Sequence, residues 1–264
     1  MMDSVTAVLG DAEAFGEPAE LRDVTIEFKT AEKGNVVALD KVSLQLKRGE
    51  FLVFVGASGS GKTTALNVFA DLVKPSSGSA SVYGMKPESA RERIGYMFAR
   101  DALMPWRTAL ENVEFGMELR GIPKAERREK ALQLLDMMRL GKYVGNYPAQ
   151  LSQGQRQRVA IARTWATSPD VLLMDEPFSA LDAQTREALQ AEFLSIWARE
   201  KKSIIFVTHD LNEAVTLADR IIVFGNGRIV DEFSVDIERP RDILDITESP
   251  EAKEIYRKIR DLLH

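Results

Sequence analysis

The sequence predicts an α/β fold whose sheet is interrupted, along the chain, by a long helical segment. Apolar runs of strand length occur at 51–55 and 171–174. The runs at 204–207 and 221–224 are continuous, as in parallel sheets covered on both faces. Helical signals replace them between about residues 100 and 167. With 264 residues the chain is long enough for one large domain of this class.

The composition argues against several classes of protein. The chain has 35 Lys and Arg against 40 Asp and Glu, for a net charge of -5, and its basic residues form no tract. Nucleic acid is therefore not expected as a partner, since phosphate neutralisation dominates such binding. No apolar run approaches the ~18–20 residues that span a bilayer, and the acidic N-terminus is unlike a signal peptide. Without cysteine there is no disulfide or thiolate metal site, so we expect a soluble intracellular protein.

The first part of the chain predicts an antiparallel sheet. Residues 1–20 carry small and acidic side chains without periodicity, and we interpret them as a flexible tail. The segments 24–28 and 42–46 then alternate apolar and polar residues, which is typical of half-buried strands. A polar turn that contains Gly34 separates them.

A phosphate-binding loop follows the strand at 51–55. The pattern G-x-x-x-x-G-K-[ST] is matched by Gly56, Ala57, Ser58, Gly59, Ser60, Gly61, Lys62, Thr63 and Thr64. The helix expected after it, over 65–71, presents backbone N–H groups and a positive dipole end to phosphate oxygens. We expect Lys62 to reach the β- and γ-phosphates and the Thr63 hydroxyl to hold Mg²⁺. The alternative is a chance match in a glycine-rich turn, which the flanking strand and helix disfavour.

Two carboxylates end the strand at 171–174. Open α/β sheets bind ligands at the carboxyl ends of their strands. Asp175 is therefore expected to hold Mg²⁺, directly or through water, and Glu176 to orient and deprotonate the attacking water. By itself an Asp-Glu pair after a strand often only begins a loop, and the phosphate loop upstream is what favours the catalytic interpretation.

Three helices can be predicted in detail. Pro123 suits a first helical position, and a helix over 126–140 would end before Gly141. A second helix is expected over 183–200, and a third after Ser249, which would cap it. The predicted buried faces are Leu132, Leu135 and Met138 in the first, Leu189, Phe193, Ile196 and Trp197 in the second, and Ile255, Tyr256, Ile259 and Leu262 in the third.

Three further motifs make the chain resemble ATP-binding cassette (ABC) proteins. The segment 151–155, Leu-Ser-Gln-Gly-Gln, resembles the family's signature at a helix start. The segment 179–182 resembles its D-loop, and His209 its switch histidine. The resemblance covers residues 21–235 and implies a P-loop NTPase core with an antiparallel β subdomain. It also implies an inserted α-helical subdomain at about 100–167 and leaves 236–264 as a short C-terminal helical extension.

The resemblance implies two ATP molecules sandwiched with Mg²⁺ in a head-to-tail homodimer. Within one subunit, Phe28 would stack on adenine and His209 would contact the γ-phosphate beside the catalytic Glu176. The alternatives are that Phe28 is a core residue and that His209 is structural. Ser152, Gly154, Gln155 and Asp182 would complete the site of the opposite subunit. Ser152 has the alternative of a simple helix N-cap, and Asp182 suits both roles.

The segment 95–108 resembles the family's Q-loop region and departs from it at one position. Ala99 stands where the family has a glutamine that helps to bind Mg²⁺ or water and links the site to a membrane partner. We hypothesise lower turnover or a water-filled gap there. Met104, Pro105 and Trp106 are expected to contact a membrane permease, the alternative being that Trp106 is buried among the helices.

The pairs Pro105-Trp106 and Pro240-Arg241 resemble importer ATPases of the nitrate/sulfonate/taurine group, which includes transporters of thiamine and pyrimidine precursors. The expected function is ATP hydrolysis on the cytoplasmic face of a membrane. The expected partners are a second copy, permease subunits and, indirectly, a substrate-binding protein. The alternatives are an ABC exporter, a soluble ABC machine of DNA repair or translation, and a degenerate nucleotide-binding module.

Overall fold

A computed structural model describes residues 16–30, 34–239, 241, 246 and 249–263. Pro240 and most of the predicted tail and of the turn near Gly34 lie outside these ranges. The strands are β1 (Ala19–Thr30), β2 (Gly34–Leu46), β3 (Phe51–Gly56), β4 (Ser77–Ser81), β5 (Ile94–Met97), β6 (Val171–Asp175), β7 (Ser203–Val207), β8 (Arg220–Gly225) and β9 (Arg228–Ser234). The helices are α1 (Lys62–Phe69), α2 (Ala109–Leu119), α3 (Lys124–Met137), α4 (Gln153–Ala166), α5 (Ala183–Glu200), α6 (Leu211–Leu217) and α7 (Pro250–Leu263).

A six-stranded sheet, in the order β5-β6-β7-β3-β8-β9, forms the centre of the fold. Its pairs are parallel except for the last, in which β8 and β9 form an antiparallel hairpin. Asn226 and Gly227 connect that hairpin with φ values of 49° and 76°. This Asn-Gly pair is the residue choice that a tight hairpin turn with positive φ favours.

The six-stranded sheet is covered on both faces, as its continuous apolar strands predict. Leu52 and Phe54 of β3 join a core with α1 and the antiparallel sheet β2-β1-β4. Phe51, Val53 and Val55 point the other way, into a core with α2, α3, α4 and α5. Since alternate residues of a strand face opposite sides, every position of β3 is buried.

The helical segment lies between β5 and β6, where helical signals predict it, and contributes α2, α3 and α4. The predicted stripe on α3 is partly wrong. Leu132 is exposed, while Ala131 and Leu134 are buried with Leu135 and Met138. Positions 131, 134, 135 and 138 follow the i, i+3, i+4, i+7 spacing of one helical face, and residue 132 is about 100° away from it. Pro123 is the N-cap of α3 and not its first helical residue.

Two other predictions at the chain ends need correction. Strand β1 begins at Ala19, which is buried and pairs with Leu46, so Ala19 and Glu20 belong to the sheet and not to a tail. On α7 the predicted inward residue Leu262 is exposed, whereas Ala252 and Ile259 are buried. Helix α5 has the predicted bounds, and its predicted inner face is buried. None of the described helices is long and apolar enough to cross a membrane.

Candidate functional site

Residues 56–61 form a tight loop between β3 and α1, and two neighbouring strands press against it. Gly61 has a φ of 108°, and a Cβ there would lie 2.8 Å from the Ala38 carbonyl oxygen on β2. A Cβ on Gly56 would lie 2.3 Å from the Phe224 carbonyl oxygen on β8. These positions therefore require glycine, and α1 begins immediately after the loop with Gly61 as its N-cap.

Lys62 holds a positive charge at the base of this loop. Its Nζ donates to the carbonyl oxygens of Gly56 at 2.7 Å and Ala57 at 2.9 Å. Burial lowers the pKa of the Lys62 ammonium, while the nearby carboxylates of Glu176 and Asp175 act in the opposite direction. A loop of backbone N–H groups with a cation beneath it is chemically suited to phosphate oxygens.

Thr63 and Asp175 meet across the sheet edge. The Thr63 hydroxyl donates to Asp175 Oδ1 at 2.9 Å. Burial raises the pKa of the Asp175 carboxyl, and the bond from Thr63 partly offsets this. Among the described residues no group of three or more His, Asp or Glu side chains could hold a metal alone. One hydroxyl and one carboxylate suit Mg²⁺ that takes its other ligands from phosphates and water.

Glu176 and His209 lie together at the same edge. Glu176 Oε2 is 3.4 Å from His209 Nδ1. The Glu176 backbone has a φ of 45°, and its N–H donates to the Val207 carbonyl of β7 at 2.9 Å. A positive φ in a non-glycine residue costs energy and persists only where the surroundings enforce it. The two predicted catalytic side chains are thus brought together just beyond β6 and β7.

Phe28 lies near the end of β1, opposite Val36 of β2. Its side chain is 41% exposed, so it does not belong to the core. Strand β2 lies against the end of the phosphate loop, since a Cβ on Gly61 would lie 2.8 Å from both the Ala38 carbonyl oxygen and Leu39 Cδ2. An exposed aromatic ring is therefore held on the sheet that borders the loop.

Ser152, Gln155, Gly154 and Asp182 form a second group. Ser152 caps α4: its Oγ accepts from the Gln155 N–H at 3.3 Å, and its own N–H donates to Gln155 Oε1 at 2.8 Å. Asp182 caps α5 by accepting from the Thr185 N–H at 3.0 Å. A Cβ on Gly154 would lie 2.7 Å from Thr185 Cγ2, so the two helix starts touch. Both caps keep an exposed side chain, and the N-cap interpretation holds for each.

The segment after β5 is fastened to α4 by two arginines that the sequence reasoning missed. Ala99 is half-buried and contributes no polar side-chain atom. Beyond it, Arg156 Nε donates to Asp101 Oδ2 at 2.9 Å. Arg163 donates to the carbonyl oxygens of Asp101 at 2.8 Å and Ala102 at 2.7 Å. Residues 101 and 102 are thus hydrogen-bonded to the helix that Ser152 begins.

The 104–106 loop (Met104, Pro105 and Trp106) is hydrogen-bonded to a buried asparagine of α2, Asn112. Asn112 Oδ1 accepts from the Met104 N–H at 2.8 Å. Its Nδ2 donates to the Met104 carbonyl at 3.2 Å and to the carbonyls of Arg107 and Thr108 at 3.0 Å each. Trp106 is 73% exposed, so the alternative that it is buried among the helices is wrong.

Comparisons with known proteins identify the family of the chain. A family model described as ABC transporter matches residues 39–179. An uncharacterized ABC transporter ATP-binding protein of Methanocaldococcus jannaschii is 47% identical, with 86% of this chain and 85% of that protein covered. A taurine import ATP-binding protein of Rhizobium johnstonii is 40% identical, with 90% and 93% covered. A nitrate import ATP-binding protein of Synechocystis sp. is 42% identical, with 83% and 82% covered.

A solved structure gives the same result for the fold. It is a dimeric ATP-binding cassette in a post-hydrolysis state bound to ADP and phosphate, with a TM-score of 0.75 and 36% identity. The match covers 83% of this chain and all of that one. The predicted fold class and the resemblance drawn from the motifs are confirmed. The chain therefore belongs to the ABC transporter family of ATP-binding proteins.

Proposed function

We propose that this chain is the ATP-hydrolysing subunit of an ABC importer for a small solute. The observation that carries the proposal is the meeting of Lys62, Thr63, Asp175, Glu176 and His209 at one sheet edge. A degenerate nucleotide-binding module has no need of the Glu176–His209 contact. The names of the relatives that import taurine and nitrate support a small solute of that group as cargo.

Each residue of the edge has a separate task in the proposed reaction. The phosphate loop and Lys62 bind the β- and γ-phosphates, and Thr63 and Asp175 hold Mg²⁺, which neutralises phosphate charge when bound. Glu176 orients a water molecule for attack and accepts its proton. His209 donates to a γ-phosphate oxygen, and Phe28 stacks on the adenine ring.

The second group completes the site of a second copy in this proposal. Ser152 would donate to the γ-phosphate held by the partner, beside Gly154 and Gln155 at the start of α4. Asp182 lies beside them at the start of α5. The γ-phosphate joins the two copies only while it is intact, so hydrolysis lets them separate. The dimeric cassette of the solved relative supports this arrangement.

The 104–106 loop is the proposed contact with a membrane permease. The supporting observation is an indole that is 73% exposed beside Met104, which Asn112 holds by its N–H and its carbonyl oxygen. Tryptophan is enriched at protein interfaces. The proposed location is the cytoplasmic face of the membrane, with a substrate-binding protein acting through the permease.

The hydrolytic part is tested by comparing phosphate release and oligomeric state in Glu176→Gln and Glu126→Gln. The first removes the base and keeps the shape, and the second changes an exposed glutamate on α3. We expect Glu176→Gln to release no phosphate and to elute as a dimer with ATP and Mg²⁺, while the control hydrolyses normally. Normal hydrolysis in Glu176→Gln, or a monomer under all conditions, contradicts the proposal.

The transport part is tested by tagged purification from detergent-solubilised native membranes. We expect a polytopic permease to co-purify with the wild-type chain and with Leu119→Ala, an exposed apolar control on α2. The Trp106→Ala variant should lose it. Recovery of ribosomes or DNA in place of a permease would leave the ATPase chemistry intact and refute the importer.

A further inference from the structure

One guanidinium joins the starts of α5 and α6, each of which follows a segment of the proposed site. Arg186 lies in the first turn of α5. Its Nη2 donates to the Leu181 carbonyl oxygen at 3.1 Å, within the segment 179–182. Its Nη1 donates to Asp210 Oδ2 at 3.1 Å, in the residue that follows His209. The planar guanidinium can bridge two such acceptors at fixed separation, which an ammonium does less well.

Asp210 uses its other groups to fix the backbone around His209. Asp210 Oδ1 caps α6 by accepting from the N–H groups of Asn212 at 2.9 Å and Glu213 at 3.2 Å. The Asp210 N–H donates to Thr208 Oγ1 at 3.0 Å, and the Thr208 N–H donates to the Phe54 carbonyl of β3 at 3.1 Å. His209 is thus fixed to the sheet on one side and to Arg186, through Asp210, on the other.

A second polar contact between α5 and α6 lies one helical turn beyond the contact of Arg186 with Asp210. Gln190, one turn after Arg186 on α5, donates to Glu213 Oε1 at 2.6 Å, and both side chains are buried. The Arg186 Nε is also buried, and no hydrogen-bond partner is described for it. Burying a donor without a hydrogen-bond partner is unfavourable. The Arg186 side chain is therefore held where it bridges two segments, in spite of a local cost.

We propose that Arg186 is a positioning residue for hydrolysis, which couples the segment 179–182 to the orientation of His209. The inference rests on the proposed function and adds to it. Asp182 is exposed and belongs to the group that would face a second copy. Movement of this segment when two copies close would be passed from the Leu181 carbonyl through the guanidinium to Asp210. Arg186 acts through Asp210 and does not touch the reacting atoms.

The test separates positioning from binding and from folding. Arg186→Met keeps the aliphatic stem and removes both hydrogen bonds, Arg186→Lys restores the charge, and Arg199→Met is an exposed control at the far end of α5. We expect Arg186→Met to lower kcat by about tenfold to a hundredfold, as misplacement of a reacting group does. KM for ATP and the Kd of a fluorescent ATP analogue should stay within about twofold. Arg186→Lys should recover part of kcat, and Arg199→Met should match the wild type.

An unchanged kcat in a folded Arg186→Met variant overturns the inference, as do equal changes in KM and kcat. Asp210→Asn should reproduce the loss, and the double variant should be no slower than either single one. Should Arg186→Met fail to fold, Asp210→Asn carries the same comparison. Failure of the proposed function looks different, because the wild type would then release no phosphate and Glu176→Gln would not form a dimer with ATP.

Discussion

Glu213 gives the protein a pH-dependent stability that can be isolated by one substitution. The side chain is buried on α6, and this burial raises its pKa to about 7. The Thr208 hydroxyl and the Gln190 amide favour the ionised form, while Asp210 disfavours it. Glu213→Gln keeps the shape and the oxygen that accepts from Gln190, and it removes the titration.

The direction in which stability changes with pH follows from the pKa of Glu213 in the unfolded and in the folded chain. The carboxyl has an ordinary pKa of 4.5 when unfolded and about 7 when folded, so the folded chain binds the proton more tightly. Between these values the folded state holds more protons, and stability falls as pH rises. Below pH 4.5 Glu213 does not lower the free energy of unfolding, and above about pH 7 it lowers it by the full amount. At about 1.4 kcal/mol for each pH unit, its upper limit is about 3 kcal/mol.

Urea unfolding between about pH 5 and pH 8 measures this contribution. The free energy of unfolding of the wild type should fall relative to that of Glu213→Gln by up to about 3 kcal/mol across this range. Glu251→Gln, at an exposed position on α7, should follow the wild type. If the wild type and Glu213→Gln change in parallel within about 0.5 kcal/mol, Glu213 does not titrate in this window and the reasoning is refuted.

Substitutions at three other positions test separate parts of the structure. Asn112→Ala removes four hydrogen bonds and should lower the free energy of unfolding by about 2–4 kcal/mol in urea titration, whereas a loss below about 1 kcal/mol would contradict the anchoring. Phe28→Ala should weaken ATP binding by about 1–3 kcal/mol and Phe28→Tyr should not, as measured by calorimetry; equal affinities would disprove stacking. Ala99→Gln should raise the rate of phosphate release by supplying an oxygen that would help to bind Mg²⁺ or water, and an unchanged rate would refute the hypothesis about that position.

Much of the architecture was predictable because the signals are local. Helix α5 was placed at its observed bounds, since Asp182 is a strong N-cap and the apolar residues that follow keep one face. The phosphate loop is predicted by its residue spacing, because backbone geometry permits few residue types there. The pair at 175–176 is predicted by its place at the end of an apolar strand downstream of that loop. Leu132 is wrongly predicted to be buried, because α3 is highly charged and only weakly amphipathic. Its sequence contains leucines at several positions, and tertiary packing decides which of them are buried.

The polar contacts that organise the site could not be read from the sequence. Arg156, Arg163 and Arg186 lie on helices, where arginine is usually solvated. Their partners Asp101 and Asp210 are 55 and 24 residues away from Arg156 and Arg186. The role of Asn112 could not be predicted either, since asparagine in the first turn of a helix does not indicate a hydrogen bond to the preceding loop. Such contacts depend on which surfaces meet, and sequence periodicity says nothing about that.

Arg156 and Arg163 give the proposed importer a mechanical route that does not need the side chain at position 99. Both lie on α4, which Ser152 begins, and both bind the residues that lead into the 104–106 loop. Force applied at Trp106 would reach α4 through charge-assisted hydrogen bonds, which are stronger than neutral ones. The glutamine that the family has at position 99 combines this link with a contact to Mg²⁺ or water. In the proposed importer, Ala99 would therefore remove only the contact to the metal or water, and a permease bound at Trp106 would still be linked to α4 through Arg156 and Arg163.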